Sequence, residues 1–177
     1  GKTKLRGEEA IKESECNHVI FRTSWIFAAR GDNFLKTMIR LAREQKELKV
    51  VSDQIGVPTS AELIADLTAL CLYQITRKKN SAHGATGIYH LTPEGKTSWH
   101  EFAQFVITES LRLGATFLAG PDNVVPIRTS EYPLPAKRPS NSLLDAQKLR
   151  NTFNVYMPPW QTHVKRLITE IHTQQII

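Results

Sequence analysis

Glycine is scarce in this 177-residue chain, and no two of its nine glycines are separated by a single residue. The G-x-G turn that seats a pyrophosphate at the head of a doubly wound α/β domain is therefore absent. Cysteine is scarcer still: Cys16 and Cys71 form no C-x-x-C pair, and they supply no disulfide framework. Cys71 lies in the apolar helical stretch ADLTALCLYQI and is expected to be a buried, reduced thiol. Histidines at 18, 83, 90, 100, 163 and 172 make no H-x-x-x-H, so the spacing of a zinc site is missing. No apolar run approaches the ~20 residues that cross a bilayer. These absences lead us to expect a cytoplasmic protein with no membrane partner.

What is present supports a packed core. The chain is 41% hydrophobic and 23% charged, ordinary values for one globular domain. Its net charge is +6, which suits either a lysine-rich solvated surface or an anionic partner. The basic residues are scattered, and the one dense cluster, ITRKKN at 75–80, falls in an expected loop. A nucleic-acid module would interleave aromatics with a basic stripe. Here the aromatics fall on inner helix faces, so no nucleic-acid partner is expected.

Helical and extended patterns alternate along the chain. Residues 2–14 read as a helix, HVIFRTS at 18–24 as a strand, and DNFLKTMIRLAREQK at 32–46 as an amphipathic helix with Phe34, Met38, Leu41 and Ala42 on one face. LKVVSD at 48–53 is a short strand. The helix at 59–75 is expected to open on a Thr59/Glu62 capping box and to bury Leu63, Ile64, Leu67, Leu70 and Cys71. GIYHLT at 87–92 is another strand, followed by a helix whose capping box is Ser98/Glu101. Beyond Gly120 the stretch PDNVVPIRTSEYPLPAKRPSNS holds five of the nine prolines and is expected to be extended without regular structure. Ser142 and Asp145 are expected to cap a short helix, and Pro158–Pro159 to start the last one. This order argues an α/β fold with parallel strands.

Five segments then carry a resemblance: GKTKLRGEEAI, FRTSWIFAARGDNFLKTM, VVSDQIGVPTSAELIADL, GIYHLTPEGKTSWHEFA and YPLPAKRPSNSLLDAQKL. In this order they resemble the dTDP-4-dehydrorhamnose reductases, a family of extended short-chain dehydrogenase/reductases. The resemblance spans essentially the whole chain. It implies the C-terminal, substrate-binding portion of such a reductase: the later part of a Rossmann-like parallel sheet plus a small sugar-nucleotide-binding subdomain over residues 1–177. The N-terminal dinucleotide-binding half would lie outside this sequence. It implies reduction of a dTDP-4-keto sugar with NADPH or NADH.

The resemblance also assigns residues. Gly1-Lys2-Thr3-Lys4 matches the last four positions of the family's Y-G-x-T-K, so the tyrosine would directly precede Gly1. A lysine four residues after a tyrosine shares its helical face, and its charge favours the phenolate over a reference pKa of ~10. The family's lysine also binds the nicotinamide ribose, so Lys4 is the implied catalytic and cofactor-binding residue. Lys2 is expected to be a surface residue. Trp25, Gln54, Thr59 and Arg138 are the implied sugar-nucleotide contacts, with the Arg138 guanidinium suited to a diphosphate. Arg22, Thr23 and Ser24 would lie near the nicotinamide. Glu62 and Glu170 match positions that hold Mg²⁺ at a dimer interface in some members, and a homo-oligomer is expected. The fragment alone would not catalyse. A non-catalytic regulatory subunit with a reductase fold is the second reading the same residues allow.

Overall fold

A computed structural model describes residues 1–77, 85–132, 136 and 138–174. Among the described residues three of four strand pairs are parallel, as the alternation of helices and strands predicts. β1 (Val19–Arg22) pairs with β6 (Gly87–His90), in register Val19 to Gly87 through Arg22 to His90. β2 (Ile26–Phe27) pairs with β5 (Thr59–Ser60), and β3 (Leu48–Val51) with β8 (Val124–Ile127). The antiparallel pair is β4 (Ile55–Gly56) with β7 (Thr97–Ser98), which the sequence did not predict.

β8 corrects the expectation of an irregular proline-rich segment. Val124 and Ile127 turn inward, and Pro126 sits opposite Val50. A proline is tolerated in a strand where its missing N–H faces away from the ladder. The remainder of that segment includes residues 133–135 and 137, outside the described residues, as are Lys78, Lys79 and Asn80 of the basic cluster.

The helices bury two separate apolar clusters. The first gathers α2 (Phe34–Glu44), α4 (Trp99–Arg112) and α6 (Trp160–Gln174) against β3 and β8. Leu35, Met38, Ile39 and Ala42 fill it from α2, while Phe34 and Leu41 are only partly buried. Phe102 meets Trp160 edge-on, ring centres 5.7 Å apart. The second cluster joins α3 (Ala61–Arg77) and α5 (Gln147–Phe153) to β6 through Leu63, Leu67, Cys71, Tyr89, Leu149 and Phe153. Leu70 is not part of it; it is an exposed residue on the outer face of α3, contrary to expectation.

Two expected caps are also corrected. The Ser60 hydroxyl, not Thr59, accepts the Leu63 N–H at 3.0 Å, because α3 begins at Ala61 and Ser60 is the residue directly before it, while the Thr59 hydroxyl is directed back to the Val57 carbonyl. Ser142 does not cap α5, since its hydroxyl donates to the Ile55 carbonyl at 3.0 Å; Asp145 alone accepts there, from the Gln147 N–H. The Ser98/Glu101 capping box is present in full. α1 (Lys2–Glu13) buries no residue.

Candidate active site

Ile55 and Gly56 form the seam on which the candidate site is built. On one side they pair with β7. On the other, the Ile55 N–H donates to the Ser140 carbonyl at 2.8 Å and the Ser142 N–H returns a bond to the Ile55 carbonyl at 2.9 Å. This carries residues 138–142, RPSNS, alongside the DQIGVPT loop although 83 positions separate Ile55 from Arg138 in order along the chain. Arg138 is exposed and makes no hydrogen bond or ion pair among the described residues. A guanidinium left free beside a seam is available to an anionic group.

Trp25 packs on this seam. It follows β1 and adopts φ +49°, a left-handed conformation rarely taken by a bulky residue. Its carbonyl accepts the Thr59 N–H at 3.1 Å, which fixes the backbone there. Its indole stacks on Trp99, ring centres 3.6 Å apart and planes 11° from parallel. Trp99 in turn meets Phe34 at 4.5 Å. A Cβ on Gly56 would come within 2.5 Å of the Trp25 ring and 2.6 Å of the Ser142 hydroxyl. Glycine is therefore required for the ring to reach its place.

Gln54 is buried, and its amide donates to the Thr129 hydroxyl at 3.1 Å. Beside it the Asp53 carboxylate accepts the Thr129 hydroxyl at 2.6 Å and the Thr129 N–H at 3.0 Å. These bonds hold the Asp53 carboxyl below its ordinary value, the side-chain bond contributing most. Thr129 thus pins the turn after β8 to the DQ pair. Thr59 is fully buried, its hydroxyl directed to the Val57 carbonyl at 3.4 Å. Its side chain faces the interior, not the exposed side of the seam.

Lys4 lies on exposed α1, and Lys2 is exposed as well. One turn beyond Lys4, on the same face, Glu8 accepts two bonds from the Arg22 guanidinium, Nε to Oε1 at 2.9 Å and Nη2 to Oε2. The Arg22 bond holds the Glu8 carboxyl below its usual range and raises the guanidinium in return. This clasp ties the Lys4 face of α1 to the carboxyl end of β1. There the hydroxyls of Thr23 and Ser24 are buried without a partner among the described residues. Two unpaired hydroxyls can each donate to or accept from a polar group of a ligand.

Glu62 on α3 acts on His163 of α6, and Glu170 lies two helical turns further on, about 10 Å along the axis. Among the described residues no group of three or more His, Cys, Asp or Glu side chains could hold a metal. A magnesium ion at Glu62 and Glu170 would need further carboxylates from outside this chain. No helix among the described residues is long and apolar enough to cross a membrane. Sequence reasoning missed Gly56, Trp99, Thr129 and Ser142, whose roles arise only from contacts between distant segments.

Comparison with known proteins places this geometry in context. A family profile described as "RmlD substrate binding domain" matches residues 1–173. The chain is 45% identical to the dTDP-4-dehydrorhamnose reductase of Shigella flexneri over 177 residues, all of this chain and 57% of that protein. The curated relatives it matches are therefore longer, and the chain spans little more than half of them. Among solved structures, the dTDP-4-dehydrorhamnose reductase of Bacillus anthracis in complex with NADP superposes with a TM-score of 0.77 at 34% identity, covering 96% of this chain and 54% of that one. The ortholog from Clostridium acetobutylicum gives 0.78 at 34% identity, covering 97% and 55%.

Proposed function

The chain belongs to the RmlD substrate-binding-domain family, and from that premise we propose that it is the sugar-nucleotide-binding portion of a dTDP-4-dehydrorhamnose reductase. The intact protein would reduce the 4-keto group of dTDP-6-deoxy-L-lyxo-4-hexulose to give dTDP-L-rhamnose, a precursor of cell-surface polysaccharide. One observation carries this reading: Trp25, the DQIGVPT loop and the RPSNS segment converge on the Ile55–Gly56 seam, leaving a free guanidinium at its edge. A flat indole suits a sugar ring or base, and a guanidinium suits a diphosphate.

Each residue then has a task. Arg138 holds the diphosphate oxygens in a bidentate grip that lysine cannot copy. Trp25 offers its ring to the sugar nucleotide. Gln54 and Thr59 shape the pocket wall from behind, through Thr129 and the Trp25 carbonyl. Thr23, Ser24 and Lys4 would hold the nicotinamide end of NADPH or NADH, which supplies hydride when bound. Lys4, four positions after the family's tyrosine, lowers that tyrosine's pKa so that it can protonate the new alkoxide. With the nucleotide loop and tyrosine supplied by the N-terminal half, this chain alone would be inactive, and a cytoplasmic homodimer is the expected assembly.

Calorimetric titration with dTDP-L-rhamnose tests the proposal. The chain should bind it, and Arg138→Ala should weaken binding by about tenfold or more, the worth of a charge-assisted pair. Equal affinity in the two proteins removes Arg138 from the site. In the intact reductase, Lys4→Met should abolish NADPH oxidation by the keto sugar; near-normal turnover would remove Lys4 from the catalytic machinery, whereas a wild type without turnover would favour a non-catalytic regulatory subunit.

A further inference from the structure

Trp25 is held by more than its own backbone. Trp99 lies flat against its ring at 3.6 Å, and Gly56 leaves room where any side chain would collide with it. Its left-handed φ is held by the Thr59 N–H bond to its carbonyl. Such a conformation costs about 1–3 kcal/mol and persists only where its surroundings over-determine it. Trp99 stands on the first turn of α4, directly after the Ser98 N-cap, and is buttressed on its far side by Phe34. The aromatic pair joins residues 74 positions apart in sequence. The indole N–H of Trp25 has no partner among the described residues.

From this we infer that Trp99 and Gly56 form a socket that presets the orientation of the Trp25 indole, making both positioning residues for nucleotide-sugar recognition. The inference rests on the sugar-nucleotide reading of Trp25 given above. A ring already fixed in its binding orientation loses no rotamer freedom when ligand arrives, so affinity is gained without a new contact. Stacked aromatics attract beyond what burial alone supplies, which favours one ring orientation over its alternatives. A leucine at 99 would fill much of the same space yet offer no flat π face. A methyl group at 56 would displace the ring while leaving Trp99 in place.

Two measurements on this chain test the socket. Stacked indoles give an exciton couplet in far-ultraviolet circular dichroism. The wild-type couplet should be present and should keep its sign and position when dTDP-L-rhamnose saturates the protein. It should vanish in Trp99→Leu and Gly56→Ala. Those variants should bind the nucleotide sugar about tenfold more weakly, while Trp99→Phe, which restores a flat partner, stays within about threefold of wild type. If either Trp99→Leu or Gly56→Ala loses its cooperative thermal transition, the other decides. A wild type that binds no dTDP-L-rhamnose overturns the sugar-nucleotide reading itself, whatever the couplet shows. A wild type that binds, with Trp99→Leu matching Trp99→Phe or with a couplet that ligand inverts or abolishes, overturns the socket and leaves that reading intact.

Discussion

Replacing Ser98 with alanine should loosen the α4 end that carries Trp99. The Ser98 hydroxyl accepts the Glu101 N–H at 3.1 Å, and the Glu101 carboxylate accepts the Ser98 N–H at 2.9 Å and the Thr97 hydroxyl at 3.2 Å. The alanine removes only the first bond. Ser98 is 3% exposed, so water cannot freely replace the lost acceptor. The loss should be about 1–2 kcal/mol, the upper part of the range for N-cap substitutions. For a chain of this size that is a fall of about 2–8 °C in Tm. Acidity supplies a second readout. The bond from the Ser98 amide, with the other local bonds, holds the Glu101 carboxyl below its ordinary value. Its contribution is therefore complete above the unfolded carboxyl pKa of ~4.3 and disappears as pH falls through the lower folded value. Glu101→Gln keeps the hydrogen-bonding shape of the box but removes the charge, so it should flatten this acid limb. Calorimetric melts across the acid range, for the two single variants and the double, check both points. A Ser98→Ala melt within 1 °C of wild type, an estimate of zero effect on the same scale, would refute the claim that the box holds α4, as would an unaltered acid limb in Glu101→Gln.

Three further outcomes are expected. Burial pushes the Cys71 thiol up to about 11, whereas Cys16 is exposed, so a thiol reagent should titrate one cysteine in the native protein and two after denaturation. His163 and His172 are held below their ordinary value, first by burial and then by Arg166 and Arg43 respectively, with Glu62 and Asp66 opposing at His163. Stability should therefore decline as pH falls below the unfolded value of ~6.5, and chemical denaturation of a His163→Gln, His172→Gln double variant should show a smaller decline. Leu149 is fully buried in the second cluster, and Leu149→Ala should cost about 2–5 kcal/mol in urea unfolding.

The elements legible in the sequence are those whose signal is local. The Ser98/Glu101 box could be read directly because hydroxyl, spacing and carboxylate all lie within one turn. The same pattern at Thr59 and Glu62 misled, since the helix begins one residue later, at Ala61, and the cap falls to Ser60. β8 was hidden by Pro126, which weakens a strand signal but is harmless where its absent N–H has no ladder to serve. Leu70 was assigned inward by helical period alone; which face of α3 is covered depends on elements far away in the chain. At the candidate site, Trp25, Gln54, Thr59 and Arg138 were reached through family resemblance. Their partners Gly56, Trp99, Thr129 and Ser142 were not, because close approach of segments 31 to 87 residues apart leaves no mark in a local window.

The strand pairing also sets the timing of synthesis. Leu48 of β3 waits for Val124 of β8, and Val19 of β1 waits for Gly87 of β6. At translation rates of about 5–20 residues per second, the nascent chain holds β3 unpaired for about 4–15 s. For most of that interval, until α4 is completed at Arg112, a valine-rich strand edge and the apolar face of α2 are exposed to solvent together; after that β3 still waits for β8. The nascent chain is thus most vulnerable to misassociation between the completion of α2 and the arrival of residue 127, and a chaperone that shields apolar segments would act with most effect inside that window.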